Sequence, residues 1–242
     1  MSLFETIIVI IFIFFKSIFG VGLLIFGTPT FLLLGYNFDL ILSFLVPISC
    51  TISLLQFIFS KDKIREYVKK FTLYSFIPLI LCLYLSINLI SLEEVKIFIA
   101  LIMIFISIIN IINFNFLYQK FKLVKNFYLY SIIIGGIHGL TNLGGGFLSI
   151  FSSMVFYKNI KKTRTAIAFG YLFFGLLQIS LLLILERFTF KNELKYLIPL
   201  TLLIFYSSNF FFNKLNYKYF VKSINFIILL YGFIFLFFNI IK

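Results

Sequence analysis

Apolar runs of about 20 residues recur along the chain at about 40–60, 71–91, 95–117, 165–185, 196–213 and 222–241, separated by short polar stretches rich in lysine. Each has the length a helix needs to cross the hydrocarbon core of a bilayer, so each predicts one full crossing. Two further apolar stretches, 6–36 and 127–157, are too long for one straight helix and too short for two with a turn between them. Glycines punctuate both: Gly20, Gly22 and Gly27 before Pro29 in the first, and Gly135, Gly136, Gly139, Gly144, Gly145 and Gly146 in the second. Such breaks predict re-entrant hairpins or broken helices, which a membrane tolerates where the free backbone is covered by protein or lines a wet cavity.

Composition agrees with lipid as the surrounding solvent. Of 242 residues, 62% are hydrophobic and 12% charged, against roughly 45–50% and 25% in soluble domains. A single soluble domain has too little interior for so much apolar surface. Cys50 and Cys82 lie inside apolar runs with no partner at ligand spacing, so neither a disulfide framework nor a zinc site is expected. Glu5 stands where a signal peptide would be basic, and the first apolar segment is expected to be retained.

The net charge of +13 reports topology rather than nucleic acid. With both glycine-broken stretches as hairpins, the loops 61–70, 120–125, 158–164 and 214–222 fall on one side and together carry 15 basic residues. The other side has Lys96, Arg187, Lys191, Lys195 and Lys242. With both stretches as single crossings the split is 12 against 8, so the positive-inside rule favours hairpins, with the four loops cytoplasmic and the N-terminus outside.

The chain also matches itself at an offset of 122 residues over 16–60, without gaps. Gly20 falls on Asn142, Gly22 on Gly144, Ser43 on Thr165 and Gln56 on Gln178, while Pro78 and Pro199 continue the register at 121. The predicted fold is therefore an all-α polytopic membrane protein of two transmembrane repeats, 1–120 and 121–242, each a hairpin followed by three helices, or about eight membrane segments. An odd number of crossings per half inverts the second repeat relative to the first. Inverted repeats of this kind are the architecture of secondary transporters, whose sites lie near the midplane between discontinuous helices.

The same register lays Lys16 on His138, the single histidine, and both are ionisable groups inside apolar runs. All eight carboxylates, by contrast, lie at or near span ends. A cation carrier or carboxylate proton relay would bury an acid; lysine, histidine, hydroxyls and broken-helix termini suit an anion. Gly20, Gly22, Gly27, Thr28 and Pro29 form one candidate backbone nest, and Thr141, Asn142, Gly144, Gly145 and Gly146 the other, since glycine lets an oxyanion approach amide groups closely. The alternative for these glycines is close helix packing. Gln56, Gln178, Ser43 and Thr165 are expected either to hydrogen-bond substrate or to staple helices together.

The second-half string Gly139-Leu140-Thr141-Asn142-Leu143-Gly144-Gly145-Gly146 and its counterpart Gly20-Val21-Gly22-Leu23-Leu24-Ile25-Phe26-Gly27-Thr28-Pro29 resemble the glycine-rich segments of the sulfite exporter TauE/SafE family, the TSUP anion transporters. Chain length and the two-half layout are similar too. Leu23 and Leu24 stand where the family tends to have glycine, Asn142 where it has the first glycine of the second motif, and Phe151 replaces a proline. The resemblance implies export or uptake of a small sulfur oxyanion, such as sulfite or a sulfonate, across a prokaryotic plasma membrane.

Together these features predict a secondary carrier for a small anion working by alternating access, with protons as a candidate coupling ion, no cofactor, no metal and no nucleic-acid partner; a homo-oligomer stays open. The competing expectation is a non-transporting membrane scaffold or assembly factor in which Leu23 and Leu24 close the site. An intramembrane enzyme is disfavoured by the lack of an H-E-x-x-H motif and of paired mid-span carboxylates.

Overall fold

The computed structural model describes residues 2–60, 63–111, 126–156, 159–212 and 229–237, and among them it is helical throughout, with no strand. In chain order the helices are α1 (Leu3–Phe19), α2 (Leu23–Leu33), α3 (Phe38–Ile58), α4 (Arg65–Asn88), α5 (Leu92–Ile111), α6 (Phe127–Thr141), α7 (Gly144–Val155), α8 (Ile160–Ile184) and α9 (Leu194–Phe212). A further helical stretch covers 229–237. The helices α3, α4 and α8 are long and apolar enough to cross a membrane. The basic loops 120–125 and 214–222, residues 61, 62 and 158, Lys242 and most of the predicted 222–241 span lie outside the described residues.

The first long apolar stretch is two helices turned back on each other. Ser2 and Glu5 form a capping box that starts α1. Gly20 and Gly22, with φ of +78° and +130°, supply the left-handed backbone that ends α1 and reverses the chain. The two ends of the pair then meet, because Tyr36, just beyond α2, donates its hydroxyl proton to Glu5 at the start of α1 at 3.0 Å.

The second stretch repeats this form. Its break lies at Asn142 and Leu143, and Asn142 takes the left-handed conformation at φ +61°, which asparagine tolerates better than most side chains. Both outer ends of the α6–α7 pair touch one buried side chain, Tyr67, whose ring lies 5.6 Å from Phe127 and 5.4 Å from Phe156. The glycines Gly135, Gly136 and Gly139, expected to break the helix, lie inside continuous α6. Their purpose is packing: a methyl group at Gly135 or Gly139 would stand 2.6 Å from the Ser75 carbonyl oxygen or 2.4 Å from that of Leu79, so α6 lies backbone to backbone on α4.

Helices α3 and α8 form the centre and run antiparallel, with Ser60 bonded to Thr165 at one end and Ser43 accepting from the Thr189 amide at the other. Around them the pairings recur between the two halves. α6 packs on α4 as α1 packs on α9, α7 on α8 as α2 on α3, and α4 on α8 as α9 on α3. The outward faces stay apolar; on α4, Leu73, Ile77, Leu81 and Leu85 are all exposed.

Candidate functional site

The turns of the two helix pairs reach the centre from opposite ends of α8. The first turn lies by Gln56 and Ile167, near the end of α3 and the start of α8. The second lies by Gln178, late in α8, and by Ser86, late in α4, whose hydroxyl donates to the Gly139 carbonyl at 3.3 Å. At a rise of about 1.5 Å per residue, the 17 residues of α1 carry its last turn deep into the bundle.

Each turn ends its helix by the same backbone bond. The Gly20 amide donates to the Lys16 carbonyl at 2.8 Å, and the Asn142 amide to the His138 carbonyl at 2.8 Å. The side chains of Lys16 and His138 therefore leave equivalent last turns, and both arrive at Tyr171, close to the middle of α8. The Lys16 ammonium lies 3.6 Å from the centroid of the Tyr171 ring. The His138 ring meets that ring edge-on at 6.0 Å and stacks on Phe174 at 4.6 Å. All three side chains are buried, and Lys16 is within electrostatic reach of His138 and of Cys50.

Among the described residues these groups are short of partners. Lys16 Nζ, Ser17 Oγ, Ser49 Oγ, Ser53 Oγ and Tyr171 OH make no hydrogen bond. Neither ring nitrogen of His138 meets a partner at bonding geometry, although the Gln178 side chain lies alongside. A buried donor left unbonded costs about 1–3 kcal/mol, and more when charged, so a cluster of them marks a place where stability has been given up. Among the described residues no carboxylate approaches it; Asp39, a partly buried acid, lies 4.0 Å from Arg187 at the far end of α3.

The remaining predicted residues divide between this cluster and its supports. Gly144 and Gly145 back directly onto it: a methyl group there would stand 2.5 Å from His138 Cβ or 1.6 Å from the Tyr171 hydroxyl oxygen. The start of α7 thus lies against the Tyr171 hydroxyl. Asn142 donates to Thr28 Oγ1 at 3.0 Å and accepts from Gln178 at 3.2 Å, tying the second turn to α2 and α8. Gln56 donates to the Lys16 and Ser17 carbonyls at 3.2 and 3.0 Å, and Arg164 donates to the same Ser17 carbonyl at 2.8 Å.

The other predicted residues do different work. Gly146 packs against Ile106 of α5. Thr141 donates within its own helix to Ile137 and accepts from the Leu143 amide, shaping the turn. Gly27 and Pro29 lie inside α2, Gly27 against Leu45, and neither is part of a nest. Ser43 and Thr165 staple helix ends.

Sequence reasoning missed Tyr171, Ser49 and Ser53. The repeat register itself held a signal, because Tyr171 falls on Ser49 at the offset of 122. Leu23 and Leu24, the first residues of α2 beside the first turn, are fully buried. No family model, curated protein or solved structure matches the chain.

Proposed function

We propose that the protein is a multi-pass carrier of a small anion in a prokaryotic plasma membrane, with its substrate site around Lys16, His138 and Tyr171. Support comes foremost from the Lys16 ammonium, which is buried and, among the described residues, has neither a hydrogen bond nor a carboxylate partner. A cation at membrane depth ordinarily faces a partner, a cavity or an ion path, and a carried anion is the partner that a donor-rich, acid-free cluster calls for. The inverted-repeat arrangement, 1–120 against 121–242, is supported by the recurring helix pairings and by hairpin ends that meet on opposite faces at Tyr36 and Tyr67. In this reading the basic loops are cytoplasmic, the halves exchange roles to give alternating access, and His138 is the candidate proton carrier.

The preference for a sulfur oxyanion rests on the resemblance to the TauE/SafE family. Purified protein in proteoliposomes tests the whole reading: uptake or counterflow of sulfite, an organosulfonate or another small anion is expected, and its loss in Lys16→Met ties the flux to this cluster. Failure to move any of them sinks the proposal.

The burial of Leu23 and Leu24 beside the first turn favours a second reading, a non-transporting scaffold built on the same shell. It predicts no flux and reproducible co-purification with one partner complex.

A further inference from the structure

We infer that Tyr171 is a substrate-binding residue that presents the Lys16 ammonium and that, with the hydroxyls of Ser49 and Ser53, it fits the site to a singly charged oxyanion. This rests on the carrier reading above and adds to it both the residues and the charge of the substrate.

The placement of Lys16 carries the first part. Its ammonium sits 3.6 Å from the Tyr171 centroid, a distance at which the negative face of the ring partly offsets a charge removed from water. That contact holds the lysine beside His138 without quenching it, because a ring face carries no countercharge. An anion entering there offers a full charge, and the ammonium turns from the ring to it with a short side-chain motion. Asp or Glu in place of Tyr171 would instead hold Lys16 in a closed ion pair.

The hydroxyls carry the second part. Ser49, Ser53 and Gln56 share one stripe of α3, at spacings of four and three residues that put them on one face of a helix. The last member of the stripe touches the Lys16–Ser17 backbone, so the two serines above it line the same side of the bundle. Ser49, Ser53 and Tyr171 are buried, and their hydroxyls have no hydrogen-bond partner among the described residues. Oxyanion oxygens are acceptors only, and they match an excess of donors.

The charge follows from the count of fixed charges. Lys16 is the cation that stands at Tyr171, the Arg164 guanidinium is held on the Ser17 carbonyl seven residues, about 10 Å, earlier along the same helix, and among the described residues no carboxylate enters the cluster. A monoanion neutralises the Lys16 ammonium. A dianion leaves one charge uncompensated by that ammonium in a low-dielectric interior, which is strongly unfavourable unless His138 takes up a proton.

The test is the thermal unfolding midpoint of the detergent-solubilised full chain at pH 8, against methanesulfonate, formate and nitrate as monoanions and sulfate and thiosulfate as dianions. Ligands that bind the folded state raise the midpoint. At least one monoanion should bind ten-fold or more tightly than either dianion. Tyr171→Phe, which keeps the ring, should weaken that binding several-fold, and Tyr171→Leu should abolish it. If Tyr171→Leu does not fold, Ser49→Ala with Ser53→Ala replaces it, with a ten-fold loss expected. Equal binding of sulfate overturns the charge assignment while leaving an anion carrier standing. Wild-type affinity in the Tyr171 or serine variants overturns the residue assignment. No shift with any anion, together with no flux in proteoliposomes, removes the carrier reading and this inference with it.

Discussion

Gln56 and Gln178, 122 positions apart, each tie down the turn of one helix pair from the central helices. Gln56 holds the Lys16 and Ser17 carbonyls, and Gln178 holds the Asn142 side chain. Both are fastened at once, and each bond set is worth only about 0.5–1.5 kcal/mol per hydrogen bond, a scale at which such ties can open and close. Gln56→Leu is expected to loosen the turn at the end of α3, and Gln178→Leu the opposite one. Cys50, buried midway along α3, reports the difference in a Cys82→Ser background. An impermeant maleimide should reach it from the side of loop 61–70 in the first variant and from the other side in the second. Labelling from one side in both would show that the glutamines are not opposed.

Lys16→Met should make the protein more stable and less active. Replacing a buried charge that lacks a countercharge by an apolar chain of similar volume removes a desolvation cost, and comparable swaps gain about 1–4 kcal/mol. A raised unfolding midpoint with lost uptake and normal expression is the expected outcome. His138→Ala should likewise lower uptake without lowering expression. A lowered midpoint in Lys16→Met would make Lys16 a structural residue.

Gly136 and Gly139 separate packing from helix propensity within one helix. A methyl group at Gly136 meets only Cys82 Sγ, at 3.5 Å, whereas one at Gly139 meets the Leu79 carbonyl at 2.4 Å and the Leu83 amide nitrogen at 2.9 Å. Gly136→Ala should be neutral or stabilising by up to about 1 kcal/mol, the propensity difference. Gly139→Ala must push α6 off the α4 backbone and should cost about 1–3 kcal/mol or more. Midpoints of the two variants in detergent decide the matter.

The start of α5 carries a pH-sensitive cap. Glu94 accepts from the Ser91 amide and hydroxyl at 2.8 Å each, while its own amide donates to Ser91 Oγ at 3.3 Å. The backbone bond from Ser91, then its hydroxyl, hold the Glu94 carboxyl below its ordinary value. A carboxylate shifted down in the folded state adds stability above its unfolded pKa of about 4.3, and that contribution disappears as pH falls through the folded value. The protection of the Glu94 and Val95 amides, their exchange taken relative to the intrinsic rate at each pH, should therefore fall below about pH 4 and stay unchanged near pH 6. Glu94→Gln should remove the pH dependence.

How far the sequence spoke can be judged from particular residues. The helices and the breaks that divide the two long apolar stretches were legible because hydropathy and turn residues are one-dimensional signals. The fate of individual glycines was not. Gly135 and Gly144 look alike in sequence, yet one packs α6 on α4 and the other backs onto His138, a distinction made only when helices are placed side by side. Tyr171 escaped notice because a tyrosine in an apolar run reads as core, and its register partner Ser49 shares no chemistry that a search for matching residues would flag.

The clasp of Tyr36 on Glu5 bears on how the chain enters the bilayer. An element whose two ends stay together contributes nothing to the parity of crossings, so excising residues 2–36 leaves α3 and everything after it facing as before. Under the proposed membrane reading, orientation is then set downstream, by the basic residues of 61–70, and the hairpin can settle into place after the long helices are threaded.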